Sequence, residues 1–573
     1  MGAAVSSNSP VSYQLLGQSR AADTHPMSPD KDLDVNIASD SPEDLRPKSR
    51  GEFQDDTEME GLTLYEKKAL LVNRELNSHG MGKYQWYIFF LCGFGYLVDL
   101  LYAQAFGLVE PAIQQEFGFG DKQSGNIFSS FSAGLTAGAF VWGILVDIIG
   151  RQYAFNLTVL ISSVFGLCLA APNNYNGILV LTAFVGFGVG GNIPIDTTIC
   201  LEFLPQNRRF LLALLSLFQP LGVVIACGIA YGFVPFYSCG NGSDGKPLPA
   251  CSKVAAGAPC CTKSSNFGWR YTLLCIGAIC MAIFFLRFVV FHFQESPKFL
   301  LYRGRDDKAV EVLQKIAKFN GRESSITLES FEALSTGETS MASPDTNTAI
   351  LGGGAKQLKQ SWGTKFKTEI QRYKMLFGSF TMARLTLLVW VTYAFDYWGF
   401  SIAGSFLPKI LLLKNSAIHI PVAETYRNFV IIYICGIPGV MLGALMYGIP
   451  RIGRKWAMIG SSALMGLSLF LFATVNTEAS NVGLNAMEYF FQSMFNAVLY
   501  GWTPEVFPAP IRGTAAGVAS FWGRLFSIIS PLIAASLIVD SLNAPLYLAG
   551  GGVFISTIAL LLMPYRSLGA QSY

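Results

Sequence analysis

Charge is what this chain has least of. Asp, Glu, Lys and Arg make up 14% of its 573 residues, against about 25% in an ordinary soluble protein. Hydrophobic residues reach 51% and the mean hydropathy is +0.40, the balance of a polytopic membrane protein. A formal net charge of +3, with no dense basic run, argues against nucleic acid as a partner. Histidine is nearly absent: His25, His79, His292 and His419 are dispersed. The eleven cysteines form no C-x-x-C pair, so neither a metal site nor a cofactor is expected. No nucleophile–base constellation is visible, and an enzyme is not expected. The first twenty residues lack an apolar core, so the first apolar span is expected to direct insertion itself.

What the chain has in abundance is apolar runs, and two of them are related. In Trp86 to Pro111, the residues Tyr96, Asp99, Gly107 and Pro111 recur 297 positions later as Tyr393, Asp396, Gly404 and Pro408. Gly150 and Arg151 recur as Gly453 and Arg454, and Glu202, Pro205 and Arg209 as Glu505, Pro508 and Arg512, both at an offset of 303. Two offsets only six residues apart indicate a duplicated half with one lengthened loop. Parallel repeats with functional groups at membrane mid-depth are a common plan of secondary transporters.

Residues 1–61, rich in Ser, Pro and Asp, are expected to form a disordered cytoplasmic tail. Residues 62–85 carry a helical apolar stripe, read either as an amphipathic helix on the membrane surface or as a capping helix packed on the protein body. Twelve apolar spans follow, each near the twenty residues that a bilayer requires. Six fall in residues 86–292 and six in 385–563, around a central loop at 293–384; residues 564–573 form a second tail. The fold class is thus an all-α polytopic membrane protein with twelve transmembrane helices in two six-helix pseudo-symmetric halves. Arg151, Arg208, Arg209, Arg451, Arg454, Lys455 and Arg512 sit in joints on one side, and the central loop carries fourteen Lys and Arg. That bias places these joints and both termini in the cytoplasm. Lys409, Lys414 and three lysines at 246–263 run against it.

The largest loop expected outside, 237–267, holds Cys239, Cys251, Cys260 and Cys261. Two disulfides fit an oxidising exterior, with three possible pairings; zinc is the competing reading, weakened by the lack of histidine there. Asn241 begins a glycosylation sequon in the same loop.

The joint after the second span, GILVDIIGRQ, resembles the signature G-x-x-x-D-x-x-G-R-[KR] of the major facilitator superfamily, with Gln152 departing from its last position. GFGVGGNIPID with Glu202-Phe203-Leu204-Pro205, QESPKFLLYRGR after the sixth span, and TPEVFPAPIRGTAAG with Phe521-Trp522-Gly523-Arg524 resemble the sugar and metabolite porter branch, on the side of niacin carriers and synaptic-vesicle-like proteins. The resemblance covers residues 80 to 565. It implies transport by alternating access, with spans 1, 4, 7 and 10 lining a central cavity.

Polar groups on those spans are the candidate substrate and proton sites: Asp99, Asn192, Asp196, Asp396, Glu488, Gln492 and Asn496. Arg524, mid-span on the eleventh helix, joins them as a group that needs a carboxylate or an anionic ligand. It is read equally as a substrate ligand or as a permanent partner of Asp396 or Glu488. Asp147, Arg151, Glu202, Arg209, Arg454, Glu505 and Arg512 are read as a cytoplasmic gate. The function expected is proton-coupled symport of a small organic metabolite such as a sugar or carboxylate, by a monomer in the plasma membrane. A proton-driven exporter and a non-transporting nutrient sensor are the alternatives.

Overall fold

The computed structural model describes residues 64–205, 208, 210–240, 247–255, 257–290, 294–339, 374, 376–449, 453–507 and 511–564. The tail at 1–61, most of the tail at 564–573, the sequon at Asn241, and Arg209 lie outside the described residues. So do the side chains of Asp147 and Arg512.

Helix α1 (Leu64–His79) precedes the bundle. The first half follows as α2 (Lys83–Phe117), α3 (Asp121–Ile149), α4 (Arg151–Cys168), α5 and α6 (Tyr175–Val189, Asn192–Phe203), α7 and α8 (Phe210–Leu215, Phe218–Tyr237), and α9 (Gly268–Phe285). Short helices α10 (Pro297–Tyr302), α11 (Asp306–Phe319) and α12 (Leu328–Thr339) belong to the central loop. The second half comprises α13 (Phe380–Ala417), α14 and α15 (Val422–Ile434, Gly436–Tyr447), α16 (Gly453–Thr474), α17 (Glu478–Val506), α18 (Arg512–Leu537) and α19 (Ala544–Leu562). Where two helices are named together they run on as one span, so the described residues form twelve spans in two sets of six. Eight are long and apolar enough to cross a bilayer on composition alone. The other four, α3, α4, α13 and α17, are interleaved with them. Polar side chains dilute α17 in particular, which buries Asn485, Glu488, Gln492 and Asn496.

The repeat read in the sequence is a repeat of packing. In each half the first span packs on the fifth, the second on the fourth, and the third on the sixth. Between halves, α3 packs on α18, α8 on α14, and α2 on α13. Glycine allows close approaches between the halves: a Cβ on Gly125 of α3 would lie 2.3 Å from the Pro531 carbonyl of α18, and one on Gly107 of α2 would lie 2.5 Å from the Gly404 carbonyl of α13. Helices meeting in lipid gain from such small residues because only close packing draws them together.

The basic joints lie at one end of the bundle and the large cysteine loop at the other. At the basic end, Gly150 adopts φ 102°, outside the reach of most side chains, and turns α3 directly into α4. The exposed amides starting α4 are met by Glu295, which accepts from the N–H groups of Arg151 at 3.2 Å and Gln152 at 3.3 Å. A carboxylate there also complements the helix dipole. Burial pushes the Glu295 carboxyl up against the lowering effect of these hydrogen bonds. The next residue, Ser296, caps α10 by accepting from Phe299 N–H.

Helix α1 packs on α10 and α12, the second of the two placements the sequence allowed. Val72 and Leu76 enter the same core as Val310, Leu313 and Ile316 of α11. Polar clamps surround that core. Lys68 pairs with Asp306, Glu75 accepts from Ser325 N–H at 3.0 Å, and Arg322 donates to the Ser78 carbonyl at 2.6 Å. Asn320 reaches the start of α2, accepting from Tyr84 N–H and donating to Gln85.

At the opposite end, disulfides join Cys239 to Cys261 and Cys251 to Cys260. Among the described residues no group of His, Cys, Asp and Glu could hold a metal ion.

Candidate functional site

The first and seventh spans run past one another at the centre of the bundle, and each carries a carboxylate three residues after its shared tyrosine. These carboxylates do not share one environment. Asp99 lines a cavity of about 90 Å³ between the two halves. Asp396 is 3% exposed, stands outside that lining, and has no hydrogen bond or ion pair among the described residues.

Seven spans contribute to the cavity: α2, α3, α6, α8, α13, α17 and α18. Its polar groups include Asp99 and Gln104 from α2, Gln219 from α8, Asn496 from α17 and Arg524 from α18. Its walls are aromatic, with Phe128, Phe131, Tyr397, Phe400, Tyr489 and Tyr500. The Tyr397 and Tyr500 hydroxyls meet at 3.1 Å. Arg524 is 5% exposed. It donates through Nη1 to the Leu135 carbonyl of α3 at 3.1 Å, so it bridges the halves, while Nε is buried without a partner. The positive charge of Arg524 acts on Asp99, whereas neither Asp396 nor Glu488 is paired with it.

The remaining candidates lie deeper in the protein. Asp196 forms a fully buried ion pair with Arg287 at 3.6 Å, longer than a hydrogen bond. It packs so tightly on α2 that a Cβ at Gly95, one turn before Asp99, would overlap its Oδ2. Arg287 also donates to the Leu91 carbonyl at 3.1 Å and stacks on Phe155 at 3.9 Å. Asn192, Glu488 and Gln492 are buried outside the lining, each with at least one polar atom unpartnered.

The charged residues at the basic end pair within each half. Arg151 meets Glu202 at 3.2 Å and Arg454 meets Glu505 at 2.6 Å; these are the same pair in the two copies of the repeat. Both arginines also stack on a ring 4.3 Å away, Phe299 and Tyr447 respectively.

At the disulfide end a cluster joins the halves. Lys409 of α13 donates to Gln114 at 2.7 Å, Ser124 at 2.8 Å and Asp121 at 3.0 Å, and reaches Glu110 at 3.4 Å. Ser124 hydrogen-bonds Glu110 in turn. Every acceptor belongs to the first half. Close by, the Tyr426 hydroxyl of α14 donates to the Leu108 carbonyl at 2.6 Å, and Arg270 holds Glu116 with two bonds of 2.8 Å.

Sequence reasoning missed Arg287, Arg270 and the use of Lys409. The last had a signal. A lysine in PKILLLK is costly in an apolar span unless a carboxylate answers it, and Glu110 stands one residue before the matching proline of the first copy.

The model of the family described as "Sugar (and other) transporter" matches residues 77–565. A relative named MFS siderochrome iron transporter 1, from Ceriporiopsis subvermispora, is 36% identical over 89% of this chain and 92% of its own. An uncharacterized MFS-type transporter of Schizosaccharomyces pombe is 33% identical over 89% of this chain and 90% of its own. Among solved structures, the partially occluded inward-open xylose transporter of E. coli superposes with a TM-score of 0.59 at 12% identity, over 84% of this chain and all of that one; at that identity the likeness concerns the fold. A duplicated twelve-span bundle, a cavity between its halves and a family match along nearly its whole length make this chain a multi-pass membrane protein of the sugar (and other) transporter family within the major facilitator superfamily.

Proposed function

We propose that the chain carries a small organic metabolite across the plasma membrane by alternating access, coupled to protons, with both termini and the basic end in the cytoplasm. The observation that carries this reading is the cavity between two repeat-related halves, where Asp99 and Arg524 set opposite charges among aromatic walls. The Lys409 cluster closes the route from that cavity toward the disulfide end. Opening there requires Lys409 to leave its partners on the first half. Arg151–Glu202 and Arg454–Glu505 lie within single halves and survive such a motion, each bracing the end of its own half. Asp99 and Asp396, neither of which has a cation within hydrogen-bond distance among the described residues, are the groups able to exchange a proton as hydration changes.

Uptake by purified protein in liposomes tests the proposal. The panel comprises labelled sugars, small carboxylates and, prompted by the relative named above, a ferric siderochrome, each with and without an inward proton gradient. Accumulation that needs the gradient, and loses that need in Asp99→Asn or Asp396→Asn, is the expected result. Export against the gradient would make the chain an antiporter, and no flux of any member would favour a sensor. Accumulation that is indifferent to the gradient removes the proton from the proposal.

A further inference from the structure

We propose that the cavity takes a small organic monocarboxylate, bound through Arg524 and accompanied by one proton held on Asp99. The inference rests on the transport reading and names its substrate class. A guanidinium has five N–H donors in a planar fork. Among the described residues that of Arg524 makes one hydrogen bond, to the Leu135 carbonyl. Its Nε is buried and unpartnered on a side chain that lines the cavity. A buried donor left unmet carries a standing cost, and a carboxylate meets two such donors at once. A single sugar hydroxyl satisfies one of them.

Asp99 supplies the second half of the argument. It shares the cavity with Arg524 and has no hydrogen bond among the described residues, so in the empty site the two charges balance each other. An entering carboxylate competes with Asp99 for the same guanidinium, and two anions with one cation is an unfavourable set in a poorly hydrated space. Charge balance returns when Asp99 is protonated. The substrate keeps its negative charge, the proton sits on an Asp99 oxygen, and no covalent bond is made or broken.

Other groups facing Asp99 do not alter this count. Asp196 on α6 is near enough to feel the Asp99 charge but has Arg287 as its own cation. Tyr397 on α13 and Tyr489 and Tyr500 on α17 are neutral phenols in the working pH range. The contributions of α3 and α8 to the lining carry no titratable group. The space suits a small occupant. About 90 Å³ corresponds to roughly six to nine waters at 10–15 Å³ each, a metabolite of about that many heavy atoms, and Phe131 and Phe400 are among the apolar residues that line it.

The test uses the full-length protein in nanodiscs, with benzoate as probe and benzamide as its neutral match, and reads binding as a shift in thermal unfolding between pH 5.5 and 8. Benzoate is expected to bind and benzamide not. Affinity should rise by up to about tenfold for each pH unit lowered, the slope for uptake of one proton. Asp99→Asn, fixed in the neutral form, should bind benzoate without pH dependence. Arg524→Gln should weaken it about tenfold or more, while Arg524→Lys, which keeps the charge, guards against a mere folding defect by retaining part of the affinity. Equal binding of both probes, no benzoate binding at any pH, or unchanged pH dependence in Asp99→Asn would each overturn the proposal. Because the readout needs no membrane gradient, proton-driven uptake of a neutral solute would leave the transport reading standing while this one fell.

Discussion

Two aspartates in this chain look alike in sequence and differ in company. Asp99 faces the cavity and the charge of Arg524, whereas Asp196 is sealed against Gly95 with Arg287 as its cation. Their substitutions should separate accordingly. Asp196→Asn leaves a fully buried guanidinium without its carboxylate and should lower stability by about 3 kcal/mol, read as thermal unfolding in detergent. Replacing Asp196 and Arg287 together with apolar residues should recover most of that loss. A stable Asp196→Asn protein that cannot transport would instead make Asp196 part of the transport path. Asp99 was legible as a functional candidate because an unpaired carboxylate at mid-span is costly. The partner of Asp196 was not, because Arg287 stands at the end of the sixth span, where a basic residue is ordinary, and only the fold brings it against the fourth.

Among the elements, α1 shows how little an amphipathic stripe reveals about its partner. The apolar positions fixed that a helix would form and which face it would bury, but lipid and a protein groove satisfy such a face equally. The polar rim decides between them. Glu75 is buried, which pushes its carboxyl up, but hydrogen bonds from Ser325 and Ser324 and the neighbouring His79 bring it below its ordinary 4.5. A depressed carboxyl stabilises docking above pH 4.5 and loses that contribution as pH falls through its value in the docked state. Protection of the α1 amides, relative to their intrinsic exchange rates, should therefore fall on acidification below pH 4.5. Glu75→Gln should show the lower protection already at pH 7 and lose little more in acid; equal protection in both proteins at pH 7 would mean that the apolar face alone holds the helix. The long spans were read well, since apolar length dominates their placement. The breaks within the fourth and eighth spans were hidden, because GVGGN and ICGIP keep the same hydropathy on either side.

For the molecule as a whole, the duplication carried the reading. Offsets of 297 and 303 in the sequence became the same helix pairings in both halves and the matched pairs Arg151–Glu202 and Arg454–Glu505. Contacts between the halves were not legible, since symmetry within a sequence says how each half is built and nothing about the state in which they meet. Here they meet through Lys409. Lys409→Gln leaves Glu110 buried without its cation and should disfavour the closed disulfide end by about 3 kcal/mol, shifting the populations more than tenfold. Nitroxide distances between Lys122→Cys and Ser416→Cys, with Cys168, Cys275 and Cys435 replaced by serine, should lengthen in Lys409→Gln and stay short in Lys409→Arg. Identical distances in all three proteins would leave the closure to the Gly107–Gly404 contact and its neighbours.

The clamp of α1 on the central-loop helices has a practical corollary. Lys68 with Asp306 and Ser78 with Arg322 tie α1 to the central-loop helices, and Asn320 ties those helices to the start of α2 in the first half. On the proposed alternating-access motion, the clamp would travel with the first half and not act as a hinge between the two. An antibody fragment seated on α11 should add mass without braking turnover, which makes that surface a handle for imaging the carrier while it works.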